Sequence, residues 1–140
     1  MSSSWAPFGR AWGDEGAASP SSLARKPRRS LAVVTCMDAR VDPLTGFGLT
    51  LGDAHVLRNA GAEATEDVLR SLQISHAAAG TGEVWLVGHT DCVAHGGDDR
   101  RVEASLRHAV ERVARLDAGF RVRAFRFHLA GSRLEELHLG

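Results

Sequence analysis

Two short apolar runs of strand length place the strongest constraint on how this chain can fold. Leu31–Thr35 and Val84–Val87 are almost continuously apolar, which is typical of strands covered on both faces of a parallel sheet. Cys36 directly follows the first run, and Gly88 and His89 directly follow the second. Because binding sites in open α/β sheets form beyond the carboxyl ends of the strands, we expect these residues to share one site.

The rest of the chain alternates strand patterns with helical patterns. A further strand is predicted at His55–Leu57, and a helix is predicted to begin after the N-cap Thr65 and to end near Ala79. A regular apolar stripe predicts a second helix over Val102–Leu116, and the alternation within Phe125–Leu137 predicts a closing strand or hairpin. The expected fold is therefore α/β, with a mostly parallel sheet of about four strands flanked by helices.

The segments that follow the two apolar runs contain both cysteines of the chain. One is Cys36-x-Asp38-x-Arg40 and the other is His89-x-x-Cys92. They supply two thiolates, an imidazole and a carboxylate that the neighbouring guanidinium can hold. Zinc favours tetrahedral sulfur and nitrogen ligands, and a catalytic zinc site keeps one position for water or another exchangeable group. These donors favour a zinc site that activates water.

The residues alone leave two other interpretations of the same donors open. Cys36 and Cys92 could be small buried hydrophobic residues, with His89 a hydrogen-bonded core histidine. The two cysteines could also form a disulfide bond with each other.

The two segments resemble the zinc motifs of the β-carbonic anhydrases. In that family a Cys-x-Asp-x-Arg segment closes one strand and a His-x-x-Cys segment closes a later one. The intervening segments Arg58–Gly61 and Asp67–Leu72 also resemble the family, so the likeness extends from about Leu31 to Cys92. The chain is thus identified as a short member of the family, truncated or divergent.

The resemblance implies a Zn²⁺ ion held by Cys36, His89 and Cys92, with Asp38 and water contesting the fourth position. It also implies a catalytic dyad of Asp38 and Arg40. While Arg40 holds Asp38, the carboxylate orients the zinc-bound hydroxide; if Arg40 releases it, Asp38 binds the zinc and closes the site. We expect this closed form at lower pH.

The activity implied by the resemblance is the reversible hydration of carbon dioxide to bicarbonate by zinc-bound hydroxide. Two alternatives remain. The same site could hydrolyse carbonyl sulfide or carbon disulfide, or the chain could be a catalytically silent module that binds zinc or bicarbonate.

Three departures from the family pattern bear on these expectations. Val93 stands where the family usually has glycine, and a β-branched residue is strained at a positive φ. Only nine residues separate Cys92 from Val102, which predicts that a wall of the pocket is missing. In the family, N-terminal helices embrace a neighbouring subunit, but residues 1–30 lack a periodic counterpart of these helices. The resemblance still implies a homodimer or higher homo-oligomer.

Two residues near the motifs have open roles. His95 could carry protons, compete as a ligand or be an ordinary exposed histidine of a loop. Gly61 either allows the backbone to approach the pocket closely or forms an ordinary turn.

Composition and charge limit the domain organisation and the partners that can be expected. Residues 1–30 are expected to be a flexible N-terminal arm, and residues 31–140 a single zinc-binding α/β domain. The formal net charge is zero, from 17 basic and 17 acidic residues, so neither nucleic acid nor an anionic membrane is an expected partner. No apolar run approaches the roughly 18 residues of a membrane span, and two motif cysteines are not the framework of a secreted disulfide-rich domain. A cytoplasmic location is expected.

The arm also contains three large apolar side chains, which would cost solubility unless they dock somewhere. We expect them to pack on a partner subunit. They are Trp5, Phe8 and Trp12.

Overall fold

A computed structural model describes residues 19–139, and these form one sheet with two α-helices. The sheet has five strands in the order β2-β1-β3-β4-β5; β1 to β4 are parallel, and β5 is antiparallel to β4. The elements in chain order are β1 (Leu31–Cys36), β2 (Ala54–Asn59), α1 (Glu66–Ala79), β3 (Glu83–His89), α2 (Asp99–Ala114), β4 (Arg121–His128) and β5 (Arg133–Leu137). The predicted α/β fold is confirmed, and β5, the fifth strand, forms the closing hairpin with β4.

Local capping explains where the helices begin. The Thr65 hydroxyl accepts a hydrogen bond from the N–H of Val68 at 3.3 Å, which confirms the predicted N-cap of α1. The second helix begins before the predicted Val102, at Asp99. It does so because the Asp98 carboxylate accepts a backbone N–H of the first turn at 2.9 Å.

Both faces of the sheet are covered, as the continuous apolar runs predict. All six residues of β1 are buried. On one face the helices pack through Leu72 and Leu106 against a cluster that includes Val34. On the other face, the rings of Phe47 and Phe127 pack edge to face with their centroids 5.4 Å apart. The two central strands are therefore held rigidly where they end.

The carboxyl ends of the two central strands lie side by side. Strands β1 and β3 pair in parallel, and Cys36 ends the first while His89 ends the second. Gly88 lets α2 approach the end of β3 closely, because a Cβ atom there would lie 2.6 Å from Cγ1 of Val102. The amino end of α2 and both strand ends thus surround one small region.

Residues 27–30, which the sequence assigns to the arm, are hydrogen-bonded to the loop before β2. The N–H of Arg28 donates to the carbonyl of Gly52 at 2.9 Å, and its Nε donates to Asp53 Oδ1 at 3.1 Å. Pro27 is buried. This part of the chain belongs to the folded unit.

The three aromatic residues of the arm lie outside the described residues, and their packing on a partner stays a prediction. Across residues 19–139, no helix is both long and apolar enough to cross a membrane.

Candidate metal centre

Three side chains with metal-binding atoms converge at the ends of the central strands. Cys36, His89 and Cys92 each offer one donor atom, and the three donor atoms lie within 4.8 Å of one another. The two sulfur atoms are 3.9 Å apart. The residues are 4%, 1% and 2% exposed, respectively. The described part of the chain thus contains a compact, dry Cys-His-Cys group that could hold a metal ion.

The backbone brings Cys92 back to the strand ends by a tight reversal. After His89 ends β3, Asp91 adopts a φ of 54°, in the left-handed region that aspartate tolerates better than most residues. Cys92 then immediately precedes a single turn of 3-10 helix, Val93–His95. Two potential metal donors, His89 and Cys92, at the end of β3 therefore face Cys36 at the end of β1.

The hydrogen bonding of His89 identifies the nitrogen that would face a metal. Its Nδ1 lies 2.7 Å from the carbonyl oxygen of Thr90, which can only accept, so Nδ1 carries the proton and Nε2 carries a lone pair. Nε2 is buried, and no atom of residues 19–139 forms a hydrogen bond with it. Leaving such an acceptor unsatisfied costs about 1–3 kcal/mol, a cost that a metal ion would remove.

The geometry favours a metal site over the other two interpretations of the cysteines. A core histidine with satisfied hydrogen bonds does not fit the unpartnered Nε2 of His89. A disulfide does not fit either, because both cysteines are free. Burial and the neighbouring Cys36 raise the pKa of the Cys92 thiol, and a cation between the sulfurs would stabilise the thiolate forms. The donor set fits a tetrahedral zinc ion with one open position.

Asp38 lies beside this group and is held by Arg40. Its Oδ1 accepts hydrogen bonds from the backbone N–H and the Nε of Arg40, at 2.8 and 3.0 Å, and its Oδ2 accepts one from Nη2 at 2.8 Å. Oδ2 is also 3.8 Å from Nε2 of His89. The hydrogen bonds from Arg40 hold the pKa of Asp38 well below its usual range. Asp38 is therefore an ionised carboxylate, 12% exposed, beside the free nitrogen.

Arg40 also connects the two motif segments. Its Nη1 donates to Oδ2 of Asp91 at 3.3 Å, and its Nη2 donates to the Asp91 carbonyl at 3.1 Å. The guanidinium is thus fixed from both sides, and these carboxylate partners raise the pKa of Arg40.

Cys36, Asp38 and Arg40 are spaced by two, which would place them on one side of an extended stretch, but the segment is not extended. Strand β1 ends at Cys36, and the chain then turns, with the N–H of Val41 donating to the carbonyl of Asp38 at 3.0 Å. Asp38 promotes this turn by accepting the N–H of the residue two positions later. Asp38 and Arg40 therefore meet through a local turn rather than along one face of a strand.

Arg58 is a residue of the site that sequence reasoning did not assign. Its Nε donates to the carbonyl of Cys36 at 2.9 Å, and its Nη2 donates to the carbonyls of Asp38 and Val41 at 2.8 and 2.9 Å. One guanidinium therefore fixes the loop that carries a metal donor and the carboxylate. Its place near the carboxyl end of β2, beside β1, was the signal that could have identified it.

Gly61 brings the backbone into direct contact with Cys36, one of the three potential metal donors. Its N–H donates to the Cys36 sulfur at 3.4 Å. Its φ is 88°, and a Cβ atom there would lie 2.6 Å from Nε2 of His95. The close-approach interpretation of Gly61 is the one that the structure supports.

Val93 differs from its sequence-based expectation, and His95 lies outside the group of potential metal donors. His95 is half-buried, its Nε2 lies 3.1 Å from the carbonyl of Gly61, and it is not part of the Cys-His-Cys group. Val93 is 86% exposed and lies in the 3-10 turn, and it is not among the described residues with a positive φ. The strain expected at Val93 is absent because Asp91 and Gly96 take the left-handed conformations instead.

We expect Gly61→Ala to destabilise the protein by about 1–3 kcal/mol more than Gly48→Ala. Gly48 also has a positive φ, 71°, but among the described residues no atom lies within 4 Å of a Cβ built there. The control therefore carries the backbone strain, about 1–2 kcal/mol, without the clash. Urea unfolding of both variants measures the difference, and equal losses would contradict the tight contact with His95.

Comparison with known proteins adds independent information about this chain. A family model described as carbonic anhydrase matches residues 31–121. A β-carbonic anhydrase 1 of Mycobacterium tuberculosis is 50% identical over 70 residues, which are 50% of this chain and 43% of that protein. A carbon disulfide hydrolase of Acidianus is 45% identical over 64 residues, 46% of this chain and 31% of that protein. The chain thus matches less than half the length of these curated relatives.

A solved structure is similar over a much greater length. The crystal structure of a carbonic anhydrase from Streptococcus mutans superimposes with a TM-score of 0.82, covers 99% of both chains and is 29% identical in sequence.

Proposed function

The chain belongs to the β-carbonic anhydrase family, and on that basis we propose that it catalyses the reversible hydration of carbon dioxide to bicarbonate. We propose Cys36, His89 and Cys92 as the ligands of a Zn²⁺ ion. The observation that carries the proposal is the buried, unpartnered Nε2 of His89, which lies with two free thiols and beside the Asp38–Arg40 pair. When bound, zinc would supply the Lewis acidity that makes water a nucleophile at neutral pH.

Asp38 would orient the reacting water. A carboxylate has about four lone-pair sites, and Arg40 donates to Asp38 three times, so one site remains for a further donor. Because the pKa of Asp38 is held low, the group accepts and does not donate hydrogen bonds in the neutral range. Accepting a hydrogen bond from the water directs an oxygen lone pair toward the carbon of carbon dioxide.

Arg40 would act as a positioning residue. Its bonds to Asp38 keep the carboxylate turned toward the guanidinium, and its bonds to Asp91 keep the guanidinium in place. In the closed form proposed for lower pH, Asp38 would have to exchange these hydrogen bonds for the metal. An Arg40→Ala protein with full activity and an unchanged pH profile would contradict this role.

The carbon disulfide hydrolase among the relatives makes hydrolysis of that substrate the second candidate. Both reactions need a nucleophilic water, so the donor set does not separate them. We expect the zinc-loaded protein to hydrate carbon dioxide in stopped-flow assays and to release little sulfide from carbon disulfide. Sulfide release without carbon dioxide hydration would show that carbon disulfide hydrolysis is the function.

The third alternative, a silent binding module, is disfavoured because a purely structural zinc site has no use for the Asp38–Arg40 pair.

We further propose that the protein acts as a homodimer or larger homo-oligomer in the cytoplasm, without nucleic acid or membrane partners. Met37 and Val93 support an assembly, because these exposed apolar side chains directly follow the two cysteines of the site. Light scattering of the purified protein measures its assembly size.

A further inference from the structure

We infer that His95 is a positioning residue of the metal centre, which acts through the backbone of Gly61 on the sulfur of Cys36. The inference rests on the proposed function only in that Cys36 binds the metal. It concerns the strength and geometry of metal binding rather than the identity of the substrate.

Gly61 lies between the two side chains and contacts both through its backbone. Its N–H donates to the sulfur of Cys36 at 3.4 Å, and its carbonyl lies 3.1 Å from Nε2 of His95. Because a carbonyl oxygen can only accept, Nε2 of His95 carries the proton in this contact. The imidazole of His95 thus binds the carbonyl of Gly61, and the sulfur of Cys36 binds its N–H.

The fit between Gly61 and His95 depends on the absence of a side chain. A Cβ atom on Gly61 would lie 2.6 Å from Nε2 and 3.2 Å from Cε1 of His95, and 3.3 Å from Cβ of Ala94. The ring occupies the space beside the backbone that any other residue would fill. The positive φ of Gly61 points its N–H toward the sulfur in this arrangement.

The position of His95 is set by the metal-ligand segment itself. The N–H of His95 donates to the carbonyl of Cys92 at 3.0 Å, and the N–H of Gly97 donates to the same carbonyl at 2.8 Å. The imidazole is therefore carried on the turn that begins at Cys92 and reaches the loop that contacts Cys36. It connects the two cysteine segments, as Arg40 does through Asp38 and Asp91.

The hydrogen bonds that close the loop around Gly61 do not involve the carbonyl of Gly61, which accepts from His95 instead. Asn59 closes the loop, with its Nδ2 donating to the carbonyl of Glu63 at 2.8 Å and its Oδ1 accepting the N–H of Glu63 at 2.9 Å. These bonds fix the ends of the loop. The orientation of Gly61 in the middle is fixed by the contact with His95.

The expected consequence is stronger metal binding. A backbone N–H directed at a thiolate stabilises its negative charge and orients the sulfur toward the ion. Loss of the restraint on Gly61 lets this hydrogen bond lengthen, and loss of an outer-shell partner of this kind lowers metal affinity about 10–100-fold.

The test compares His95→Leu with His95→Gln, since glutamine keeps an N–H donor of similar reach and leucine does not. Competition with a chromophoric chelator measures the zinc affinity of each protein. We expect about a tenfold or greater loss for His95→Leu and affinity near that of the parent for His95→Gln. His108→Leu, on an exposed position of α2, is the matched control and is expected to bind zinc like the parent.

A second measurement reports on the bond between the Cys36 sulfur and the metal. In the cobalt-substituted protein, the sulfur-to-cobalt charge-transfer band is expected to shift in His95→Leu and to stay in place in His95→Gln. Hydrogen exchange of the Gly61 amide in the unaltered zinc protein is expected to be slow. This measurement needs no variant, so a variant that fails to fold leaves the inference testable.

Unchanged zinc affinity in a folded His95→Leu protein would overturn the inference, as would an equal loss in His95→Gln or rapid exchange of the Gly61 amide. These failures differ from the failure of the proposed function. The latter would appear as a zinc-loaded parent protein that hydrates no carbon dioxide, whatever the affinity of the His95 variants.

Discussion

Replacing Cys92 by serine is expected to reduce bound zinc from about one ion per chain to almost none, and carbon dioxide hydration with it. Apparent binding free energies of about 10–16 kcal/mol for structural zinc sites, shared by four ligands, amount to about 2.5–4 kcal/mol for each ligand. A hydroxyl does not replace the thiolate, so we expect zinc affinity to fall by roughly two to three orders of magnitude. Metal analysis after dialysis measures the effect.

Two further variants control this result. Cys36→Ser removes the other thiolate, 3.9 Å away, and should cause a similar loss. His108→Gln removes an exposed histidine of α2 and should leave zinc content unchanged. Retention of one zinc ion per chain by either serine variant would contradict the proposed ligand set.

The second large effect is expected from Asp38→Asn, which should slow carbon dioxide hydration about 10²–10⁴-fold while zinc stays bound. Both carboxylate oxygens accept hydrogen bonds from Arg40, so the asparagine NH₂ group must face a guanidinium N–H. The substitution therefore disrupts the Asp38–Arg40 pair and removes the hydrogen-bond acceptor for the reacting water.

The pH dependence of this loss follows from the ionisation of Asp38. Its pKa lies well below the usual range because Arg40 stabilises the carboxylate, so Asp38 stays charged from neutral to alkaline pH and would be protonated only in strong acid. Asp38→Asn should therefore lower the rate by a similar factor across the neutral and alkaline range. Stopped-flow hydration assays at several pH values measure this factor.

Asp42→Asn is the matched control, because Asp42 is an exposed carboxylate of the same loop that accepts the N–H groups of Leu44 and Thr45. We expect it to retain most of the activity. If Asp38→Asn were as active as Asp42→Asn with equal zinc content, Asp38 would have no catalytic role.

The main strands could be predicted because their patterns are strong. Leu31–Thr35 and Val84–Val87 lie at the centre of the sheet and are buried on both faces, so their sequences are almost purely apolar. The fifth strand is at an edge and is half-buried, and its five residues include two glutamates and an arginine. Its signal was correspondingly weaker, and the sequence predicted only a closing strand or hairpin.

The donors of the candidate site were also predictable, since both cysteines lie in short motifs that follow strands and parallel pairing brings the ends of those strands together. The supporting contacts were not. The bonds of Arg58 to three carbonyls, and the contact of His95 with Gly61, depend on which loops approach each other in space. No local pattern encodes such distances, so the sequence left the role of His95 open and assigned Arg58 none.

The most direct test of the proposed function is the rate of carbon dioxide hydration per bound zinc ion, measured by stopped flow from neutral to mildly alkaline pH. The proposal predicts rapid hydration that disappears when a chelator removes the metal and returns when zinc is restored. A protein with one zinc ion bound to Cys36, His89 and Cys92 that hydrates no carbon dioxide at any pH would contradict it.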